Sequence, residues 1–235
     1  CGELVLETIP LSMALGVATK EKTHEALQDI LNTAEKQMYR NKLSASRSAR
    51  SAVLTSLIKT LEEKTQETEE HTLRMGVLGE MMGRKMGLIQ EELNRLKLLI
   101  SLHDIGKIVI SQEILNKAGS LTDEEWTVIK AHPETGYRIA RSTEEISHVA
   151  EEILAHHERW DGKGYPQGLA QEDIPLLARI TTIVDAYDVM TNGRPYKEPM
   201  GREEAMEELK RCAGTQFDPQ LVEIFLSVME EELGA

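Results

Sequence analysis

Two cysteines in 235 residues, Cys1 and Cys212, are too few for a disulfide framework or a cysteine-based metal site. Their scarcity favours a reducing compartment. No apolar run approaches the length of about 18 residues that would read as a membrane-spanning helix. Basic residues are in deficit: 27 Lys and Arg stand against 40 Asp and Glu, a formal net charge of -13. That balance argues against a protein that coats a nucleic-acid polymer through its phosphates. The opening residues, Cys1-Gly2-Glu3, lack an initiator Met and the charged start and apolar core of a signal peptide. The chain is therefore expected to be an excised part of a longer protein.

The remaining composition is that of a globular protein, with 40% apolar residues, 16 glycines and 7 prolines. The length admits one large domain or two small ones. Charge is unevenly spread. Residues 1–60 carry 8 basic and 6 acidic side chains, whereas residues 61–235 carry 19 and 34. An acidic body that handles a phosphate ligand needs local positive charge, and bound metal ions are one source of it.

Residues 4–18, "LVLETIPLSMALGVA", read as one or two strands limited by Pro10. Leu27, Ile30, Leu31, Ala34 and Met38 then recur at helical spacing. Ser48 to Met86 contains no proline, and Val53, Leu57 and Leu61 step by four, which predicts a long connecting helix. That stripe needs cover, either from a second copy in a homodimer or from the chain's own body. Gly76, Gly79 and Gly83 suit a closely crossed helix. Beyond this point the pattern is helical. Residues 91–103 turn apolar toward their end, and Thr122 with Glu125 forms a capping box. Residues 142–157 predict a further helix, residues 174–191 a largely buried one, and Asp218-Pro219 an N-cap and first turn.

Five of the seven histidines, at 71, 103, 132, 156 and 157, fall on four predicted helices or at their ends. Asp104 adjoins His103, and Asp185 sits in the apolar run "RITTIVDAYDVM". A carboxylate in such surroundings is costly unless it is paired or binds a metal. Imidazole with carboxylate favours iron, manganese or zinc over calcium or magnesium. His24 and His148 read as ordinary surface or hydrogen-bonded residues. Spacing alone extends to a polynuclear metal site in a helical domain and no further.

The segments "HTLR" at 71–74, "LHDIGKI" at 102–108, "HP" at 132–133, "HHERWDGKGYP" at 156–166 and "D…YDVMTNGRPY" at 185–196 together resemble the HD-GYP family. Its members are helical HD-superfamily metallophosphohydrolases acting on bacterial cyclic dinucleotides, chiefly cyclic di-GMP. The resemblance covers roughly residues 60–230. It implies a mainly α, HD-superfamily helical bundle and metal ligands at His71, His103, Asp104, His132, His156, His157 and Asp185. Asp104 would bridge two ions. Glu67, four residues before His71, matches a ligand of the trinuclear subgroup, and its competing reading is one more charge in an acidic run. The resemblance further implies a di- or trinuclear centre of iron or manganese, with zinc as the alternative. Lys107 would meet phosphate, Asp188, Arg194 and Lys197 would meet base and phosphates, and Tyr165 would shape the Gly164-Tyr165-Pro166 loop. Arg74 would pair with an acidic group near the ligands.

The first 45 or so residues are similar to the end of a GGDEF domain, without its signature motif. The implied division is a GGDEF fragment at 1–45, a connecting helix at 46–70 and the catalytic domain at 71–235. The basic segment Lys36 to Arg50 reads as a solvated linker face. The implied reaction is metal-assisted hydrolysis of cyclic di-GMP to 5′-pGpG, with GMP as the product of a second cut. A GGDEF domain of the parent chain would be a partner. The implied location is cytoplasmic, with room for a membrane-attached parent. Two alternatives stand beside it: a non-catalytic cyclic di-GMP-binding signalling domain, and an HD-superfamily nucleotidase. No metal ligand is lost, and the "GYP" and "RPY" segments are intact.

Overall fold

The computed structural model describes residues 4–6, 9–11, 15, 17–19, 27, 30–31, 33–38, 55–61, 63–65, 68–117, 119–192 and 199–233. They fall into two units, Cys1–Ser56 and Leu57–Ala235. In the first, β1 (Leu4–Leu6) and β2 (Ile9–Leu11) pair antiparallel, with Leu4 opposite Leu11 and Leu6 opposite Ile9. The described residues between 27 and 38 are helical, and the Val17 N–H donates to Gln37 Oε1 at 3.4 Å. Most of the basic segment 36–50 lies outside the described residues.

The second unit is helical among its described residues. Residues 57–61 and 63–64 are helical, and the chain bends at Thr65. Helix α1 (Glu69–Lys85) then starts afresh behind Thr68, whose backbone is extended and whose hydroxyl accepts from the His71 N–H at 3.1 Å. The unbroken helix expected over 48–86 is therefore corrected. A threonine oxygen that satisfies an orphan amide, with Glu69 and Glu70 behind it, starts a helix better than it continues one. Leu61, from the expected stripe, is 4% exposed in the single chain, and Val53 lies outside the described residues.

Helix α1 packs on α2 (Gln90–Leu102) through the glycines singled out for close crossing. A Cβ at Gly79 would lie 2.7 Å from Ile100 Cδ1, and one at Gly83 would lie 2.6 Å from Leu93 Cδ2. A 3-10 turn over Ile105–Val109 leads to the short α3 (Gln112–Leu115) and to α4 (Asp123–Lys130). The Thr122–Glu125 capping box forms as expected, with bonds of 3.3 and 2.7 Å. Helix α5 (His132–Arg141) follows directly.

The single helix expected over 142–157 is also corrected. The Ser142 and Thr143 hydroxyls both turn back to the Ile139 carbonyl and end α5. A 3-10 turn at Ser147–Val149 then opens the shorter α6 (Ala150–Ala155). Helix α7 (Leu176–Asn192), α8 (Arg202–Cys212) and α9 (Pro219–Leu233) complete the body. Asp218 caps α9 as expected, its Oδ1 accepting from the Gln220 N–H at 2.9 Å. Met75, Met82, Leu96, Leu99, Ile153, Ile180 and Phe225 have no exposed surface and form the core. Burial of each such side chain contributes about 1.5–3 kcal/mol. This core holds α2 and α6, whose ends carry part of the site. No helix among the described residues is long and apolar enough to cross a membrane.

Candidate metal centre

Three histidines sit where helices stop. His103 closes α2, His132 follows the last turn of α4, and His156 closes α6. Carbonyls in a last turn have no intrahelical donor. Each imidazole supplies one: Nδ1 of His103, His132 and His156 bonds the carbonyls of Ile100, Ile129 and Ile153 at 2.8, 2.7 and 2.6 Å. A neutral ring that donates through Nδ1 keeps a lone pair on Nε2, the form a metal ligand needs. The signal for this support is a repeated Ile-x-x-His, in "ISLH", "IKAH" and "ILAH". Sequence reasoning named the histidines and passed over the isoleucines three residues earlier.

His71 has its Nδ1 engaged by a more distant partner. Its Nδ1 lies 2.6 Å from Asp188 Oδ2. The Asp188 carboxylate also accepts from Arg74 Nε at 2.6 Å and Arg74 Nη2 at 2.8 Å. Burial would raise the Asp188 carboxyl, yet its bonds to Arg74 and His71 hold it below the usual carboxylate range. Asp185, one helical turn earlier, presents Oδ1 3.6 Å from His71 Nε2. The burial clue taken from the apolar run thus pointed one turn off. Asp188 is the carboxylate that needs pairing, at 2% exposure, while the Asp185 side chain is 24% exposed.

Seven expected ligands converge as two sets: Asp104, His132, His156 and His157, and beside them His71, His103 and Asp185. Asp104 stands between them. Its Oδ1 lies 3.0 Å from His132 Nε2 and 3.8 Å from His156 Nε2, and its Oδ2 lies 3.3 Å from His103 Nε2. Burial would raise its carboxyl, but the Lys107 ammonium and His103 beside it hold it well below the usual range. Burial pushes His156 down to about 4 and His157 well below an ordinary histidine, so both rings stay neutral at pH 7. His132 Nε2 and His156 Nε2 face each other at 3.1 Å while both Nδ1 atoms are engaged by carbonyls. Asp104 Oδ1, buried and without a hydrogen-bond donor, joins them. Two ring nitrogens and a carboxylate oxygen converge here, an arrangement that a cation satisfies. The residues present fit a metal ion.

A loop covers one side. Glu158, 2% exposed, accepts from the Gln167 and Gly168 N–H groups at 2.6 and 3.1 Å and so draws the Gly164-Tyr165-Pro166 loop back over His157. Gly164 is required there, because a Cβ would lie 2.4 Å from Arg159 N. The Tyr165 ring stacks on His157 at 4.9 Å between centroids, and burial pushes its hydroxyl up to about 12. Neither Glu158 nor the glycine at 106 was singled out from the sequence. A Cβ at Gly106 would fall 1.9 Å from the His132 carbonyl oxygen, so glycine lets the turn after Asp104 cross α5. Lys107 Nζ sits 2.5 Å from Asp104 Oδ2 with its side chain 14% exposed. A cavity of about 540 Å³ opens on Asp104, Lys107, His132, His157, Tyr165 and Asp185. Glu67, Arg194 and Lys197 lie outside the described residues, and His148 is exposed away from both ligand sets.

The HD domain family profile matches residues 55–221. A protein of Thermotoga maritima named cyclic di-GMP phosphodiesterase is 41% identical over 172 residues, which is 72% of this chain and 47% of that protein. The 3′3′-cGAMP-specific phosphodiesterase 2 of Vibrio cholerae is 39% identical over 178 residues, 75% of this chain and 34% of that protein. The chain spans less than half the length of these two relatives. Among solved structures, an HDG"Y"P protein from Bdellovibrio bacteriovorus matches with a TM-score of 0.58 at 18% identity, over 90% of this chain and 75% of that one. That last likeness is one of fold. The match over most of the chain agrees with histidines and aspartates gathered at helix ends, and the chain belongs to the HD domain family.

Proposed function

We propose that this chain is a metal-dependent phosphodiesterase of the HD-GYP subtype that opens cyclic di-GMP to 5′-pGpG, with GMP as the product of a second cut. The observation that carries the reading is Asp104, which turns one oxygen to each of two ligand sets at the floor of a cavity that also holds Lys107. Ions held by His132, His156 and His157 on one side and His71, His103 and Asp185 on the other would supply Lewis-acid charge and an activated water. Imidazole and carboxylate donors favour iron or manganese, with zinc as the alternative. The names of the relatives, cyclic di-GMP and 3′3′-cGAMP phosphodiesterases, support a cyclic dinucleotide substrate.

The chain's own residues do the rest. Lys107 carries its ammonium to the cavity wall, where it offsets charge on a phosphate as it now offsets Asp104. Tyr165, held over His157, walls the cavity and shields the rings from water. We assign Asp188 to positioning His71 in place of the base contact implied by the resemblance, since His71 and Arg74 engage both its oxygens. Glu67 as ligand of a third ion, Arg194 and Lys197 as substrate contacts, and residues 1–45 as a GGDEF fragment remain part of this proposal on the resemblance.

The test is anaerobic purification, elemental analysis for iron, manganese and zinc, and chromatography of a cyclic di-GMP digest, with Asp104→Ala in parallel. The expected result is 5′-pGpG from the metal-bearing protein and a loss of turnover of about 100-fold or more in the variant, as for a group that acts with its partners as a unit. Tight binding of cyclic di-GMP by the fully metallated protein without product would replace the enzyme by a signalling domain.

A further inference from the structure

We infer that Trp126 is the stacking platform for one nucleobase of the substrate, an inference that rests on the proposed phosphodiesterase activity. Trp126 borders the same cavity as Asp104, Lys107, His132 and Tyr165. It lies on α4 one turn before two residues that touch the site. Ile129 offers its carbonyl to His132 Nδ1 at 2.7 Å, and the Lys130 ammonium stands 5.7 Å from the Tyr165 ring centroid. Residues three and four apart share a helical face, so the indole stands on the face that meets the ligands. Its Cα is about 4.5 Å along the axis from Ile129.

The indole is not there to fill a core. Neither α3 nor α4 has a buried residue, and Trp126 itself is 46% exposed. The other tryptophan, Trp160, has the Arg179 guanidinium 5.7 Å from its ring. A large aromatic left half open to water on the wall of this cavity is apolar area in wait of a flat partner. A cyclic dinucleotide brings two purines, each one ribose away from a phosphate. With a phosphate at Asp104 and Lys107, a base extends along the wall that carries Trp126. Stacking reads the face of a base and not its hydrogen-bonding edge. Trp126 therefore raises affinity for guanine and adenine alike, and discrimination between them belongs to other residues.

The experiment uses the full 235-residue chain with its metal. Trp126→Ala is expected to raise KM for cyclic di-GMP roughly tenfold with kcat nearly unchanged, and to raise KM for the guanine–adenine ring by the same factor. Trp126→Phe recovers most of the loss, and metal content and Tm stay at the wild-type values. In a Trp160→Phe background, a phosphorothioate analogue of cyclic di-GMP quenches the Trp126 emission saturably. Turnover by the wild type with an unchanged KM in Trp126→Ala, or with unquenched emission, overturns the inference and leaves the phosphodiesterase standing. Binding without turnover leaves the emission titration to decide. A wild-type chain that neither binds nor cleaves a cyclic dinucleotide overturns both.

Discussion

Replacing Asp188 tests whether the seam between α1 and α7 keeps His71 in ligand form. The carboxylate is 2% exposed and accepts from His71 Nδ1, Arg74 Nε, Arg74 Nη2 and Asn192 Nδ2 at 2.6, 2.6, 2.8 and 3.0 Å. The Arg74 side chain is 41% exposed, so water replaces much of what the guanidinium loses. The His71 side chain is 10% exposed and has no such recourse. Loss of the outer partner of a ligating histidine typically costs 10–100-fold in metal affinity, about 1.4–2.7 kcal/mol. Asparagine keeps an oxygen for the Nδ1–H but gives up the charge, so Asp188→Asn is expected near tenfold and Asp188→Ala near 100-fold. The assay is competition for metal against a chelator of known affinity, read by elemental analysis, with thermal unfolding alongside. A folded Asp188→Ala protein that holds the full metal complement with wild-type affinity would refute the reasoning.

Two further outcomes follow from the same geometry. Gly106→Ala places a methyl 1.9 Å from the His132 carbonyl oxygen and 2.6 Å from Gly136 N. Both neighbours are backbone, so a loss of about 3 kcal/mol or more is expected in denaturant unfolding, together with loss of bound metal. For pH, the buried His156 is held at about 4 against an ordinary value of 6.5. The unfolded chain therefore binds a proton that the folded one refuses between those values. The metal-free protein should lose stability as pH falls from 6.5 toward 4, by about 3 kcal/mol from this group alone. Thermal unfolding of chelator-treated protein across pH 4–7 checks it, and His156→Asn should flatten the slope.

The site was legible where ligands are histidines and aspartates that stand out by residue type and spacing. His71, His103, Asp104, His132, His156, His157 and Asp185 could all be named, and the structure gathers them. Caps read equally well at Thr122 and Asp218, because a capping oxygen acts within one turn of its own sequence position. Asp188 could not be told from Asp185 as the buried partner. Both lie in one apolar run, and only the packing of α1 against α7 decides which faces Arg74. The helix break ahead of α1 was missed because Thr68 lies inside a polar stretch with no proline or glycine to mark it. The glycine at 106 carries no local signal, since its reason is a backbone that arrives from α5.

The short-range bonds of His103, His132 and His156 make the centre modular. Each ring is steered by a carbonyl three residues back, so each helix end arrives as a finished fitting whose aim does not depend on how far the chain travels to the next one. Lengthening the connections between these helices would leave the aim of every ring intact. His71 alone is steered from 117 residues away. Its alignment is a report on whether α1 and α7 have closed, and that makes one ligand of its set conditional on packing between distant parts of the chain.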